Sequence, residues 1–306
     1  MNSSRNRTIT IDPQEVSLLE SFLRTPDEAT SVLASDSIIW GDMMDALPQL
    51  PDQFADLILL DPPYNISKTF GSRKFYARSE EQYASYIDSW LPVVCQKLKK
   101  NGSLYLCGDW RSSAVLYEAL SRHLHIINRI TWQREKGRGS NKNWKSSSED
   151  IWFAVKDLSS YRFFPNAVKT LHRVKAPYRE NGQPKDWQED TQGKFRLTYP
   201  SNFWNDISVP FWSMPENTTH PTQKPEKLIA RLILASTQEG DMIFDPFGGS
   251  GTTASVARKL NRRFCTIEQE KEYCLIAAKR LLMTEQSKVI QGYKNGVFLE
   301  RNDSHS

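Results

Sequence analysis

Apolar residues in this chain are concentrated in short segments, some of them continuous apolar runs, which alternate with segments in which apolar residues recur at helical spacing. The short segments lie at residues 37–40, 57–60, 103–107, 126–132, 150–155, 242–245 and 263–267, and they predict strands, the most apolar of them buried on both faces of a sheet. The intervening segments predict helices at residues 43–47, 79–99, 112–123, 252–260 and 270–282, with a further helix after Pro225. This alternation predicts an α/β fold with a doubly wound, mostly parallel sheet.

The alternation stops between residues 157 and 215, where aromatic side chains are frequent and no strand–helix rhythm is visible. We therefore expect five segments. They are an N-terminal arm at 1–34, a first half of the α/β domain at 35–156, an insertion at 157–215, a second half at 216–284 and a C-terminal tail at 285–306. Residues 288–301 favour a terminal strand or hairpin, and residues 66–79 a loop that covers the site.

The charge of the chain is unevenly distributed. The formal net charge is only +4, but residues 129–185 hold 13 Lys and Arg against 5 Asp and Glu. A solvated basic face is the common explanation, yet a local excess larger than the net charge favours a polyanionic partner.

Composition excludes other classes of protein. No run of 18 apolar residues is present, so no membrane span is expected. The polar N-terminus favours the cytoplasm. The four cysteines show no CxxC spacing, which favours buried thiols over a metal cluster or disulfides.

The first candidate site is the turn Asp61-Pro62-Pro63-Tyr64-Asn65, which follows the apolar run at 57–60. Two prolines cannot continue a strand, and ligands of open α/β sheets bind at the carboxyl ends of strands. Asp61 and the Pro62 carbonyl can accept the two hydrogens of an exocyclic amine while Tyr64 stacks on a planar base. An ordinary turn remains the alternative.

The second candidate site is the glycine-rich turn Asp245-Pro246-Phe247-Gly248-Gly249-Ser250-Gly251-Thr252, between a strand and a helix. Glycines allow close approach of a ligand to the backbone, and the helix start offers free N–H groups. The next strand ends in Glu268, an acidic residue suited to ribose hydroxyls. Asp42, after the strand at 37–40, suits either a ligand or the cap of the next helix.

Together these motifs resemble the amino-methylating DNA methyltransferases that use S-adenosylmethionine, and in particular their permuted β group. The order is Gly41-Asp42, Asp61 to Tyr64, a basic region, His220 to Pro225, Asp245 to Gly251, and Glu268. The resemblance covers roughly residues 36–284. It implies a circularly permuted Rossmann-like methyltransferase fold in which residues 157–215 form the target-recognition region.

The resemblance also implies roles for individual residues. Asp61, Pro62, Pro63 and Tyr64 would form the catalytic turn and hold a base flipped out of double-stranded DNA. Trp132 would line the same pocket. Residues expected to surround the cofactor S-adenosylmethionine are Asp42, Thr222, Lys224, Asp245, Phe247, Gly249, Gly251, Thr252 and Glu268. Among these, Thr222 and Lys224 are expected at the carboxylate of the cofactor and Glu268 at its ribose. No metal is expected.

The expected activity is site-specific methylation of DNA, with adenine N6 favoured over cytosine N4 because Asp stands at the first catalytic position. Alternatives are a methyltransferase acting on RNA or protein glutamine, and a non-catalytic DNA-binding module. A homodimer and a cognate restriction nuclease are partners that the resemblance suggests. The recognition sequence cannot be read from the chain.

Overall fold

A nine-stranded sheet forms the centre of the protein in a computed structural model that describes residues 5–29, 36–134, 141–174, 178–190 and 193–300. Its strands are β1 (Leu23–Arg24), β2 (Ser37–Trp40), β3 (Ala55–Leu60), β6 (Leu98–Gly108), β7 (His125–Gln133), β8 (Ser148–Val155), β14 (Phe203–Trp204), β15 (Met242–Asp245) and β16 (Arg263–Glu268). The seven predicted strands are therefore confirmed.

The strands lie in the order β1-β2-β16-β15-β3-β6-β8-β7-β14. Neighbours pair in parallel, except that β8 is antiparallel to both β6 and β7. Strand β3 is buried along its whole length, and its parallel neighbour β15 comes from the C-terminal part of the chain. The sheet is thus mostly parallel, and its two halves meet in permuted order, as predicted.

Helices cover both faces of the sheet. They are α1 (Val16–Glu20), α2 (Met43–Ala46), α3 (Glu80–Asp88), α4 (Leu91–Lys97), α5 (Ser113–Ser121), α6 (Glu226–Ser236), α7 (Thr252–Lys259) and α8 (Lys271–Gln286). Side chains of α6, α7 and α8 pack with Leu57 and Leu59 of β3, whereas those of α2 to α5 pack with Ile58 and Leu60. Because successive strand residues face opposite sides, the unbroken apolar run of β3 supplies both cores.

The segment predicted as one helix at 79–99 is two helices followed by a strand. A capping box formed by Ser79 and Gln82 stands at the start of α3. A break follows at residues 89–90, and Pro92 stands in the first turn of α4. Since proline lacks an N–H and fits a helix start better than an interior, it explains the division. Strand β6 then begins at Leu98, before the predicted Ser103.

Residues 66–79 form a hairpin, β4 (Lys68–Phe70) and β5 (Arg73–Phe75), where a loop was predicted. Its ends are joined by Asn65, whose side chain donates to the Arg78 carbonyl at 2.9 Å and accepts from the Arg78 amide at 2.8 Å. Beyond this clasp, Ser72 bonds to Glu270. The hairpin is therefore tied both to the turn at Asp61–Asn65 and to the start of α8.

The insertion and the C-terminal tail together form a small sheet that the sequence did not predict. Its strands are β9 (Thr170–Arg173), β12 (Gln188–Asp190), β13 (Gly193–Thr198), β17 (Tyr293–Lys294) and β18 (Val297–Leu299), with a separate short hairpin of β10 (Arg179–Glu180) and β11 (Gln183–Pro184). Strand β18 pairs in parallel with β9. The predicted hairpin of the tail is confirmed, and it completes the sheet of the insertion.

The N-terminal arm packs on the domain more closely than a surface arm would. Leu19 is buried, and β1 extends the main sheet by pairing with β2. Residues 1–4 and 30–34 of the predicted arm, and residues 301–306 of the predicted tail, lie outside the described residues. None of the described helices is long and apolar enough to cross a bilayer.

Candidate active site

Four acidic residues stand at the carboxyl ends of four neighbouring parallel strands. Asp42 follows β2, Glu268 ends β16, Asp245 ends β15 and Asp61 follows β3. Strand β15 leads through α7 to β16 on one side, whereas β3 leads to β6 on the other. The β15/β3 boundary is therefore a topological switch point, where open α/β sheets bind ligands. Parallel pairing explains how two turns 184 residues apart in sequence, at Asp61 and Asp245, form one site.

The Asp61–Tyr64 turn places a carboxylate and a phenol in contact. The Tyr64 hydroxyl lies 3.0 Å from Asp61 Oδ1, and the Lys224 ammonium donates to Asp61 Oδ2 at 2.6 Å. The Pro63 carbonyl accepts from the Tyr83 hydroxyl at 3.1 Å. The Pro63 carbonyl thus already holds a partner within the protein, whereas the carbonyl that the sequence predicts as an amine acceptor is that of Pro62.

Glu149 completes this cluster, although no motif in the sequence points to it. It is 4% exposed, its Oε2 lies 3.0 Å from the Tyr64 hydroxyl and 3.3 Å from Lys224 Nζ, and Arg134 donates to its Oε1. Glu149 is brought here by β8, which runs antiparallel and starts at the carboxyl edge of the sheet. Only the three-dimensional pairing of β8 with β6 and β7 shows that Glu149 belongs to the site.

Burial and charge set the protonation of this cluster. Burial alone raises the pKa of Glu149, but Lys224 and Arg134 outweigh it, and the net pKa is lowered. The pKa of the Tyr64 phenol is raised well above its usual value by burial and by the two carboxylates. The pKa of Lys224 is also raised, because Asp61 and Glu149 outweigh its burial. At neutral pH, Glu149 and Lys224 are therefore charged and Tyr64 is neutral.

The glycine-rich turn has a backbone that only glycine adopts without strain. Gly249 and Gly251 have φ values of +51° and +73°. A Cβ atom on Gly251 would lie 2.4 Å from Ala277 Cβ, so this glycine allows α7 to pack directly on α8. Asp245 is buried and accepts from the Phe247 amide at 3.0 Å. Burial raises the pKa of its carboxyl to about 7.

Glu268 holds the turn and faces the cavity. Its Oε2 accepts from the Gly249 amide at 2.8 Å, and its Oε1 accepts from the Glu270 amide at 2.8 Å. Burial raises the pKa of Glu268 despite these bonds. At the neighbouring strand end, Asp42 caps α2 by accepting from the Met44 amide at 2.9 Å. The capping alternative for Asp42 is thus confirmed, and its side chain also borders the cavity.

A cavity of about 370 Å³ joins the two turns. Nine residues predicted for the site line it: Asp42, Asp61, Pro62, Pro63, Tyr64, Thr222, Phe247, Gly249 and Glu268. Lys224, Asp245 and Thr252 line a smaller adjoining cavity that shares Asp61 and Gly249. His220 borders both cavities and was not selected from the sequence. Burial, followed by the charge of Lys224, lowers its pKa to about 3, so His220 is neutral.

Three predicted residues have surroundings that the sequence did not indicate. Lys224, expected at a cofactor carboxylate, forms its ion pairs with Asp61 and Glu149. Gly251 acts through helix packing and lines neither cavity. Trp132, expected in the target pocket, is 1% exposed, and its indole donates to the Ile207 carbonyl at 2.9 Å within the core.

The fold and the site define an α/β protein with a cavity of about 370 Å³ between the Asp61–Tyr64 turn and the glycine-rich turn. The family model described as DNA methylase, N6_N4_Mtase, matches residues 55–279. The chain therefore belongs to the N6/N4 DNA methylase family, and it is a DNA methyltransferase.

Individual relatives agree with this assignment. DNA adenine methyltransferase YhdJ of Escherichia coli (strain K12) is 34% identical over 252 residues, which are 80% of this chain and 82% of the relative. Type II methyltransferase M.HpaI of Haemophilus parainfluenzae is 31% identical over 246 residues, covering 80% and 73%. The solved structure of an M1.HpyAVI–SAM complex is similar in fold, with a TM-score of 0.54 and 22% identity over 80% of this chain and 98% of that one.

Proposed function

We propose that this DNA methyltransferase transfers a methyl group from S-adenosylmethionine to the N6 amine of adenine within a specific sequence of double-stranded DNA. The observation that carries the proposal is the position of the Asp61 carboxylate, which shares one cavity with Glu268 and the glycine-rich turn. The adenine preference is supported by Asp at the first position of the catalytic turn and by the similarity to a protein named as a DNA adenine methyltransferase.

The residues of the cavity suit S-adenosylmethionine. The volume of about 370 Å³ lies within the roughly 300–1,000 Å³ that is usual for small-molecule sites. A cradle free of side chains is provided by Gly249, where an added Cβ would approach His220 Nε2 to 3.1 Å. We assign Glu268 to the ribose hydroxyls of the cofactor and Asp42 to its adenine end. The methionine part is assigned to Thr222, Phe247 and Gly249, and Asp245 and Thr252 support that end of the site.

Bound at this position, the cofactor supplies an electrophilic methyl group. The amine of adenine is a weak nucleophile because its lone pair is delocalised into the ring. Asp61 and the Pro62 carbonyl accept its two hydrogens, which localises the lone pair on nitrogen, and Tyr64 stacks on the base. The methyl group would leave the sulfonium sulfur, which keeps the bonding electrons as a neutral thioether, and join the nitrogen. The amine loses one proton in this step, and the Asp61 carboxylate is the acceptor beside it. Positioning and fixed charges thus supply the rate enhancement.

The DNA face is proposed at the carboxyl edge of the sheet. Strand β7 ends and β8 begins at this edge, so the basic segment 134–147 emerges beside Tyr64; its residues 135–140 lie outside the described residues. We propose that this segment and the aromatic-rich region 157–215 contact the DNA and select the sequence. We further propose a cytoplasmic location, a homodimer and a cognate restriction nuclease, the last from the similarity to a type II methyltransferase.

Methyl transfer from labelled S-adenosylmethionine to unmethylated plasmid DNA tests the proposal. The labelled DNA is digested to nucleosides and separated by chromatography, with total RNA treated in parallel. We expect N6-methyladenine in DNA and no label in RNA. Label in N4-methylcytosine would replace adenine by cytosine as the target, and label in RNA alone would overturn the assignment of DNA as substrate.

A further inference from the structure

Both oxygens of the catalytic carboxylate are occupied by donors of the protein itself. Tyr64 OH lies 3.0 Å from Asp61 Oδ1, and Lys224 Nζ donates to Asp61 Oδ2 at 2.6 Å. Each carboxylate oxygen can accept more than one hydrogen bond, but a target amine that approaches Asp61 competes with these two donors for its lone pairs. A buried donor that is displaced from Asp61 costs free energy unless it finds another acceptor. A second acceptor within reach of Tyr64 and Lys224 therefore lowers the cost of binding the base.

Glu149 is that second acceptor. Its Oε2 lies 3.0 Å from the Tyr64 hydroxyl and 3.3 Å from Lys224 Nζ, so both donors of Asp61 already reach it. The phenol carries a single hydrogen, which cannot be given to both carboxylates at once. Rotation of this O–H, with a small shift of the ammonium group, transfers the bond from Asp61 to Glu149 without repacking of the surroundings.

We propose that Glu149 is a positioning residue that takes over the Tyr64 and Lys224 hydrogen bonds when Asp61 engages the target amine. This inference rests on the proposed function of the site. The exchange frees Asp61 to hold the amine while it keeps every buried donor satisfied. It also places a neutralising carboxylate beside Lys224, so that the ammonium does not bind Asp61 alone.

The surroundings of Glu149 suit an acceptor that stays ionised and fixed. Arg134 donates to its other oxygen, Oε1, and strand β8 pairs on both sides, with β6 and with β7. The side chain of Glu149 is 4% exposed and that of Lys224 is 7% exposed, so water does not readily replace the bond that the exchange forms. Arg134 begins the basic segment, and the acceptor is thus anchored beside the proposed DNA face.

The test compares Glu149→Gln with Asp206→Asn, which likewise removes the charge of an ion-paired carboxylate, one that is 11% exposed. Asp206 pairs with Lys227 and Arg231 and lines neither cavity. For each purified variant, kcat, the KM for DNA and the Kd for S-adenosylmethionine are measured on the sequence that the wild-type protein methylates. A cofactor-free readout is the ratio of affinities for duplexes with adenine or with purine, which lacks the 6-amine, at the target position.

For Glu149→Gln we expect kcat to fall roughly 10- to 100-fold, with KM and Kd within about 3-fold, and the adenine/purine affinity ratio to fall towards one. Asp206→Asn should keep the wild-type ratio even if it lowers the melting temperature. If both variants keep the wild-type kcat and ratio, or lose activity in parallel with stability, Glu149 has no such role. Absence of methylation at adenine by the wild-type protein would instead refute the proposed function.

Discussion

Mutation of Asp61 tests the proposed chemistry more directly than mutation of any other residue of the site. Replacement Asp61→Ala removes the amine acceptor but leaves Lys224 paired with Glu149, so no buried charge loses all its partners. We expect kcat to fall by roughly 10²–10³-fold or more, while the Kd for S-adenosylmethionine changes little because Glu268 and the glycine-rich turn remain. Single-turnover methylation and calorimetric titration measure the two quantities.

Glu118→Ala serves as the surface control, since Glu118 is 79% exposed on α5, lines neither cavity and lies outside the proposed DNA-contacting region. It should retain full activity. An Asp61→Ala protein that methylates at the wild-type rate would remove Asp61 from the mechanism.

For individual site residues, the sequence was informative where the residues form a continuous motif, and it did not identify residues that lie outside such motifs. The Asp61–Tyr64 turn and the glycine-rich turn could be predicted because proline and glycine mark backbone geometry locally. Glu149 could not be predicted, because its role depends on the antiparallel insertion of β8 between β6 and β7. Lys224 was expected to reach the cofactor, and its ion pair with Asp61 depends on tertiary contacts that no spacing encodes.

Among the elements, the turn before α7 makes the sharpest stability prediction. Gly251→Ala introduces both a left-handed backbone penalty and a clash with Ala277, and we expect it to lower the free energy of unfolding by about 2–4 kcal/mol. Urea denaturation measures the change.

Gly296→Ala is the matched control, because its φ of +80° is similar but an added Cβ meets no atom within 4 Å. It should cost only the backbone penalty, about 1 kcal/mol. Equal losses in the two variants would show that packing of α7 on α8 does not depend on Gly251.

The start of α6 predicts a pH dependence. Glu216 accepts from the Glu226 amide at 2.6 Å, and burial, followed by the charge of Glu226, raises the pKa of Glu216 to about 7. The folded state therefore favours the protonated acid. Its stabilising contribution is complete below about pH 4.5, the pKa of the unfolded chain, and is lost as the pH rises through 7.

Glu216→Gln removes this titration. The free energy of unfolding of the variant should fall less steeply than that of the wild type between pH 4.5 and 8, in urea titrations at closely spaced pH values. Glu118→Gln, an exposed position, should follow the wild type. Parallel curves for Glu216→Gln and the wild type would contradict a raised pKa at Glu216.

Elements with a continuous apolar pattern were predicted well. Elements that draw on distant segments, or that consist of two adjacent helices, were not. The parallel strands were found because burial on both faces leaves an unbroken apolar run. The small sheet of the insertion escaped notice because its strands, such as β13, carry partly exposed faces and draw their partner β18 from the distant tail. The helix at 79–99 was overextended because Pro92 was not taken as the start of a second helix.

For the whole molecule, the local basic excess predicts a polyelectrolyte contribution to DNA binding. Lys142 and Lys145 are exposed on the segment that leaves the carboxyl edge of the sheet. The double variant Lys142→Ala/Lys145→Ala should weaken DNA binding and reduce the slope of log Kd against log salt by about 2. Fluorescence anisotropy over a range of salt concentrations measures the slope.

Lys100→Ala/Lys288→Ala is the control of equal charge. Lys100 lies in the amino-terminal part of β6, and Lys288 bonds to Asn261 just before β16, so both lie towards the opposite edge of the sheet. This variant should keep the wild-type slope. The reverse result, with the slope changed only by the control, would move the DNA face to that edge.

Methylation of adenine in DNA within the cavity between Asp61 and Glu268 is tested most directly by single-molecule sequencing, with detection of modified bases, of DNA from a methylation-free host that expresses the chain. We predict N6-methyladenine at one sequence motif with the wild-type protein and none with Asp61→Ala. An unmodified genome, or modification that persists with Asp61→Ala, would contradict the claim.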